Sequence, residues 1–228
     1  MQVNYVGKLI VIEGLDGCGK STQLDMLVNR LKMSCINCRN VPFPNYSSPA
    51  CEPVKMYLNG DFGKKPGDVN AFAASTLYAV DRFASFKADW EKDYMIGNPI
   101  ICGRYVTSNL VHQCSKLPKD EWLEFANWLF DFEYSKIGIP KPDAVIYLNM
   151  PQEYAEKLLM KRYEGDSQKM DIHEKDRKYQ ALCREAAQFA AENYGWHIVN
   201  CVKDGTIRSI EDISDEIFNI SLNVIKGE

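Results

Sequence analysis

Apolar residues arrive along this chain in short runs, separated by longer stretches of helical period. Residues 8–13 (Lys-Leu-Ile-Val-Ile-Glu) form a β-branched run bounded by charge. Runs of this length and composition read as strands buried on both faces, the habit of parallel sheets. The same reading applies to 99–102, 144–148 and 197–199, with a weaker run near 40–43. Between them, apolar positions recur at helical spacing over about 20–33, 69–92, 119–134, 151–162, 173–194 and 209–224. Strands alternating with helices predict an α/β fold: a parallel, five-stranded sheet flanked by helices on both faces, three layers in all. Right-handed crossovers then bring the C-terminal end of every strand to one edge, where ligands bind. No repeat, low-complexity tract or long linker interrupts the pattern, so the 228 residues are expected to form a single domain.

The polar segments that follow predicted strands carry the chemistry. Directly after the first strand, Gly14-Leu-Asp-Gly17-Cys18-Gly19-Lys20-Ser21 fits the phosphate-binding loop G-x-x-x-x-G-K-[ST]. The glycines let backbone N–H groups turn inward around phosphate oxygens, Lys20 reaches the β- and γ-phosphates, and the Ser21 hydroxyl binds Mg²⁺. Cys18 and Thr22 belong to the same expected ATP-binding stretch. A helix opening near Lys20 points the positive end of its dipole at the same phosphates. The predicted architecture is therefore the three-layer P-loop NTPase fold. Such a loop establishes nucleotide binding but not the reaction; the acceptor must be read from other residues.

Bulk properties narrow the partners. The chain is 46% hydrophobic and 25% charged, ordinary for a folded domain, with a formal net charge of -4. Lys and Arg are spread along the chain, so no nucleic-acid polymer is expected as partner; the basic residues are expected to serve small phosphates. No stretch reaches the roughly 20 apolar residues of a membrane span. Residues 1–7 lack a basic-then-apolar signal pattern, and a cytoplasmic protein with eight reduced cysteines is expected. Cys35 and Cys38 form a lone C-x-x-C with no second pair to complete a zinc site, so core or surface thiols are expected there.

Several segments, taken in order, resemble the thymidylate kinase family. They are Gly14 through Gln23, Phe43-Pro44-x-Tyr46, Leu77-Tyr78-Ala-x-Asp81-Arg82, Arg104-Tyr105-x-x-Ser108 with Gln113, and Pro140-x-Pro142-Asp143 before the fourth strand. Order and spacing match the family from about residue 8 to 200. The resemblance implies transfer of the ATP γ-phosphoryl group to thymidine monophosphate, giving the diphosphate and ADP, with Mg²⁺. It implies that Asp16 contacts the acceptor sugar, that Tyr78 stacks on the base and that Arg82 hydrogen-bonds a base carbonyl. Phe43, Tyr46 and Ser108 fall in the acceptor site with them. Tyr78 and Arg82 are four residues apart and share a helix face. A buried Arg in an apolar helix needs a partner. Arg104 suits a bidentate grip on phosphate oxygens, bridging acceptor phosphate and transferred group. Gln113, on the helix that follows, offers both a donor and an acceptor to a pyrimidine edge. Tyr105 is expected to crowd the sugar 2′ position.

A lid is expected at about 161–172, where Gly165 and a polar stretch break two helical patterns. One branch of the family carries Arg at the position held here by Gly17; the other supplies that cation from the lid. Arg162 and Lys169 are accordingly the expected catalytic cations, beside Lys20, Asp16 and Arg104. Two positions depart from the family pattern. Gly103 stands where most members have Asp, associated with the metal and its waters, and Asn45-Tyr46-Ser47 stands where many have a phosphate-binding Arg. These departures keep two alternatives open: a related nucleoside-monophosphate kinase with another acceptor, and a weakly catalytic nucleotide-binding protein. The family is usually a homodimer packed through helices, and the segment 122–132 carries more large apolar residues than one buried face requires.

Overall fold

The computed structural model describes residues 6–164 and 176–227. Five parallel strands, β1 (Leu9–Glu13), β2 (Arg39–Pro42), β3 (Ile100–Gly103), β4 (Ala144–Asn149) and β5 (His197–Asn200), lie in the order β2-β3-β1-β4-β5. β1 is central, and its side chains alternate between two cores. Leu9 and Val11 point into one, Ile10 and Ile12 into the other, all fully buried. Burying each such side chain stabilises the fold by about 1.5–3 kcal/mol.

Helices α1 (Lys20–Met33), α7 (Gln152–Arg162) and α9 (Ile210–Lys226) supply Leu27, Ala155 and Ile217 to the Ile10 side. Helices α3 (Ala71–Ser85), α5 (Val106–Cys114), α6 (Trp122–Phe130) and α8 (Arg177–Tyr194) supply Ala71, Leu110, Phe125 and Ala186 to the Leu9 side. The expected three-layer architecture is therefore present. β1 pairs with β3 and β4, with Ile12 opposite Gly103 and Glu13 opposite Tyr147. The ends of β1, β2 and β3 thus share one edge, and the chain leaves it through the phosphate loop, Phe43 and Arg104.

The elements differ from the sequence reading in four places. The expected helix 69–92 ends at Ser85, passes through a π-helical turn (Phe86–Trp90) and resumes as α4 (Glu91–Met95). Phe86 and Trp90 are buried with ring centroids 4.6 Å apart, and the wider turn accommodates both. The expected helix 119–134 likewise becomes α6 and a π-helical segment (Asp131–Ile137). Helix α2 (Glu52–Leu58) was masked in the sequence by Pro49 and Pro53, but Pro53 stands in the first turn, where a missing N–H is harmless. A small antiparallel pair, β6 (Val202–Lys203) and β7 (Thr206–Ile207), turns at Asp204-Gly205, both at positive φ, a hairpin signal too short to register as strands.

Candidate active site

The phosphate loop is shaped by backbone geometry that side chains resist. Gly17 and Gly19 have φ of 79° and 85°. A Cβ on Gly17 would lie 2.4 Å from the Ala155 carbonyl oxygen, so α7 packs directly on the loop there. A side chain at this position would therefore collide with α7. Lys20, at the start of α1, folds its ammonium onto the carbonyls of Gly14 (2.8 Å) and Leu15 (3.3 Å). Cys18 is buried within the loop, while Ser21 and Thr22 are exposed on the first turn of α1. Gln23, buried next to them, donates to the Ile210 carbonyl at 3.0 Å and ties α1 to α9.

Beside this loop lies a cavity of about 270 Å³. Its wall contains every residue expected to bind the acceptor: Asp16 from the loop, Phe43 and Tyr46 after β2, Tyr78 and Arg82 from α3, Arg104 and Tyr105 after β3, and Ser108 and Gln113 from α5. Arg162, at the end of α7, lines it too, whereas Lys169 and Gly165 fall outside the described residues. Of the expected catalytic cations, the structure thus brings Arg104 and Arg162 to one cavity and keeps Lys20 in the loop.

The contacts within this wall are more specific than the sequence implied. Arg104 has φ 71°, uncommon for a residue with a side chain. Its Nη2 donates to Asp16 Oδ1 at 2.5 Å and its Nη1 lies 2.9 Å from His112 Nε2. Burial disfavours the guanidinium charge, but Asp16, then Glu13, outweigh that and hold its pKa above the ordinary value. Arg82 is 3% exposed and its partner is Glu133, fully buried in the π-helical segment. Nε and Nη2 donate to the two carboxylate oxygens at 2.7 and 2.5 Å, and Nη1 reaches the Tyr105 carbonyl at 3.3 Å. Ser108 lines the cavity, but its hydroxyl donates to Glu13 Oε1 at 2.7 Å, beside Thr107 at 2.6 Å. The Tyr105 hydroxyl turns to the Pro140 carbonyl at 3.0 Å. Tyr78 meets Tyr57 edge-on, centroids 6.2 Å apart.

Gln113 differs from all of these. Its side chain is fully buried in the cavity wall, and among the described residues neither amide atom has a hydrogen-bond partner. A buried amide left without partners costs about 1–3 kcal/mol.

Comparison with known proteins agrees with the geometry: residues 12–217 match the family model of thymidylate kinase. This chain belongs to the thymidylate kinase family. Thymidylate kinase of Mycobacterium tuberculosis (strain CDC 1551 / Oshkosh) is 29% identical over 203 residues, 86% of this chain and 92% of that protein. Thymidylate kinase of Plasmodium falciparum (isolate 3D7) is 28% identical over 211 residues, 92% of this chain and 88% of that one. The solved structure of thymidylate kinase from Candida albicans superposes with a TM-score of 0.72 at 22% identity, over 96% of this chain and 94% of that chain. As a member of the thymidylate kinase family, the protein is a nucleoside-monophosphate kinase, a phosphotransferase on a P-loop fold.

Three participants in this kinase site were absent from the sequence reading. Asn109 and His112 line the cavity from α5, at the spacing that puts them on one face with Ser108 and Gln113, and helical period alone would have found them. Glu133 falls near the end of the predicted helical stretch 119–134; the signal for it was Arg82, whose buried charge demanded an acid. Among the described residues no group of three or more His, Cys, Asp or Glu is placed to hold a metal. The described helices include none long and apolar enough to cross a membrane.

Proposed function

We propose that this chain transfers the γ-phosphoryl group of ATP to thymidine monophosphate, forming the diphosphate and ADP. The observation that carries the reading is the unpartnered amide of Gln113, buried in a cavity that also holds Arg104. An amide with a free donor and a free acceptor complements a pyrimidine edge. Phe43 and Tyr78 supply apolar ring surface beside it. The names of the relatives point to the same acceptor.

The residues then divide the work. The phosphate loop and Lys20 hold the donor, Lys20 exchanging its loop carbonyls for phosphate oxygens. Arg104 holds the acceptor phosphate, whose oxygen attacks the γ-phosphorus as the bond to the ADP oxygen breaks. Asp16 orients Arg104 and the sugar. Charge on the moving group is balanced by Lys20, Arg104 and Arg162, and such positioning accounts for most catalysis in phosphoryl transfer. Mg²⁺ at Ser21, when bound, neutralises phosphate charge.

A second reading, slow turnover, is favoured by Gly103, which brings no carboxylate to the end of β3. A homodimer is supported by α3, where Phe72, Val80 and Phe83 are 43%, 52% and 44% exposed along one helix face. Eight free cysteines support a reducing, cytoplasmic setting. The test offers the purified protein ATP, Mg²⁺ and each nucleoside monophosphate in turn, measuring diphosphate. Thymidylate is expected to be the preferred acceptor; preference for a purine monophosphate would overturn the assignment.

A further inference from the structure

We infer that His112 is a positioning residue for the phosphate clamp Arg104, holding it from α5 through a tautomer fixed by Tyr179 and Cys183 on α8. The inference rests on the reading of the cavity as an acceptor site. Arg104 leaves β3 on a left-handed backbone and carries a long side chain, 20% exposed, into that cavity. Two neighbours hold its guanidinium: Asp16 on Nη2 and His112 on Nη1. Each takes one hydrogen, which leaves the second hydrogen of each Nη for a two-point grip on phosphate oxygens.

The chemistry of this contact dictates the state of the imidazole. A guanidinium only donates, so the His112 Nε2 facing it at 2.9 Å accepts, and the ring proton sits on Nδ1. Nδ1 in turn faces the Tyr179 hydroxyl at 3.3 Å and the Cys183 sulfur at 3.5 Å, both on α8. The Tyr179 O–H donates to the His112 carbonyl at 3.0 Å, so its oxygen accepts from Nδ1. Burial pushes the Cys183 thiol up to about 12, which keeps that neighbour uncharged. The Tyr179 ring lies nearly parallel to the imidazole, 27° and 6.0 Å between centroids, and blocks its rotation on that side. His112 is 8% exposed. The Tyr179 and Cys183 contacts on Nδ1 therefore favour the tautomer that Arg104 needs at Nε2.

A protonated His112 would lose that acceptor and set a second cation against Arg104. Among the described residues, the groups around the pair include Asp16 and Cys18 from the phosphate loop, Glu13 at the end of β1, Tyr78 on α3, and Tyr179 and Cys183 on α8. The carboxylates lie on the side of Arg104, so they reinforce the clamp charge.

The test compares single-turnover transfer to thymidylate across pH for wild type, His112→Phe, His112→Gln and Tyr179→Phe. His112→Phe should slow transfer about tenfold or more, with ATP affinity unchanged, since a hydrogen bond to a charged group is lost. His112→Gln, whose amide oxygen accepts from a guanidinium, should recover most of that loss. The wild-type rate should fall at acid pH in a step that His112→Gln lacks. Tyr179→Phe should give a smaller loss in the same direction. Equal rates for His112→Phe and wild type, or an identical acid step in His112→Gln, would overturn the inference. If His112→Phe does not fold, the pH comparison decides alone. Calorimetric titration with thymidylate reads the clamp without turnover, so His112→Phe must also bind it more weakly; a wild type that binds without transferring would overturn the proposed function only.

Discussion

Glu133 grips the guanidinium of Arg82 with both carboxylate oxygens, 2.7 and 2.5 Å from Nε and Nη2, at a site where neither side chain exceeds 3% exposure. The pair spans the π-helical segment and α3. Removing one member leaves the other charge buried alone, which typically costs about 3–5 kcal/mol. Glu133→Ala should therefore lose stability of that order in denaturant unfolding, and should weaken thymidylate binding much more than ATP binding. Wild-type stability in Glu133→Ala would show that Arg82 finds solvent or another acceptor.

Gln113 makes the opposite trade. Its amide is buried without partners among the described residues, so Gln113→Leu removes a group whose burial costs free energy. The variant should be more stable by about 1 kcal/mol, yet bind thymidylate about ten times more weakly or worse, with ATP binding unaffected. Equal losses for both nucleotides, or none, would remove Gln113 from base recognition.

How much of this was legible in advance depended on how local the signal was. β1 and the phosphate loop could be read because apolar run, glycines and Lys20 lie within 13 residues, 8–20. The residues proposed to bind the acceptor came from family spacing, and all nine share one cavity because three strand ends meet at one sheet edge. Glu133 was hidden because a π-helical segment breaks the 3.6-residue period that would have placed it inward. His112 was hidden because its role depends on Arg104 and α8, 8 and 67 residues away in sequence. The contribution of Arg162 was legible only as a lid residue; the structure puts it on the acceptor cavity.

Lys20→Ala should abolish phosphoryl transfer and leave the fold intact. Among the described residues Lys20 contacts only groups of its own loop, the carbonyls of Gly14 and Leu15 and the Cys18 sulfur, so its loss breaks no tie seen there between elements. Under the proposed function it is nevertheless the main cation for the transferred group. A folded Lys20→Ala protein with near wild-type turnover would contradict the phosphate-loop assignment.

Lys116 offers a pH test of packing behind the cavity. Its ammonium contacts the Tyr57 hydroxyl at 2.8 Å and the Val69 carbonyl at 3.0 Å, and burial lowers its pKa from 10.5 to about 8. Between those values the unfolded chain binds a proton that the folded chain has released, so this group's contribution to stability rises with pH across that window. Below about 8 both states are protonated and the contribution is flat. The unfolding free energy of wild type, minus that of Lys116→Met, should grow from pH 8 to 10.5. A difference that is constant across the window would show that Lys116 keeps its charge when folded.

Gly103 carries the riskiest expectation. It ends β3, opposite Ile12 on one side and Pro42 on the other, and so sits beside the exit of β1 into the phosphate loop. In the family pattern an Asp here serves the metal and its waters; glycine offers no acceptor oxygen. Two carboxylates lie nearby, but each is engaged. Glu13 accepts from Thr107 and Ser108, and Asp16 from Arg104. The space for a side chain exists: a Cβ on Gly103 would meet only a Leu24 methyl, at 3.1 Å, and a flexible leucine end gives way by a few tenths of an ångström. Gly103→Asp should therefore fold normally and bind both nucleotides as wild type does. Restoring one preorganised electrostatic element is worth up to roughly 100- to 1000-fold in turnover. We expect Gly103→Asp to raise the single-turnover rate at least about tenfold at saturating Mg²⁺, and to lower the Mg²⁺ concentration needed for half-maximal rate. Equal rates and equal Mg²⁺ dependence in the two proteins would show that this chain reaches full activity without a carboxylate at the end of β3.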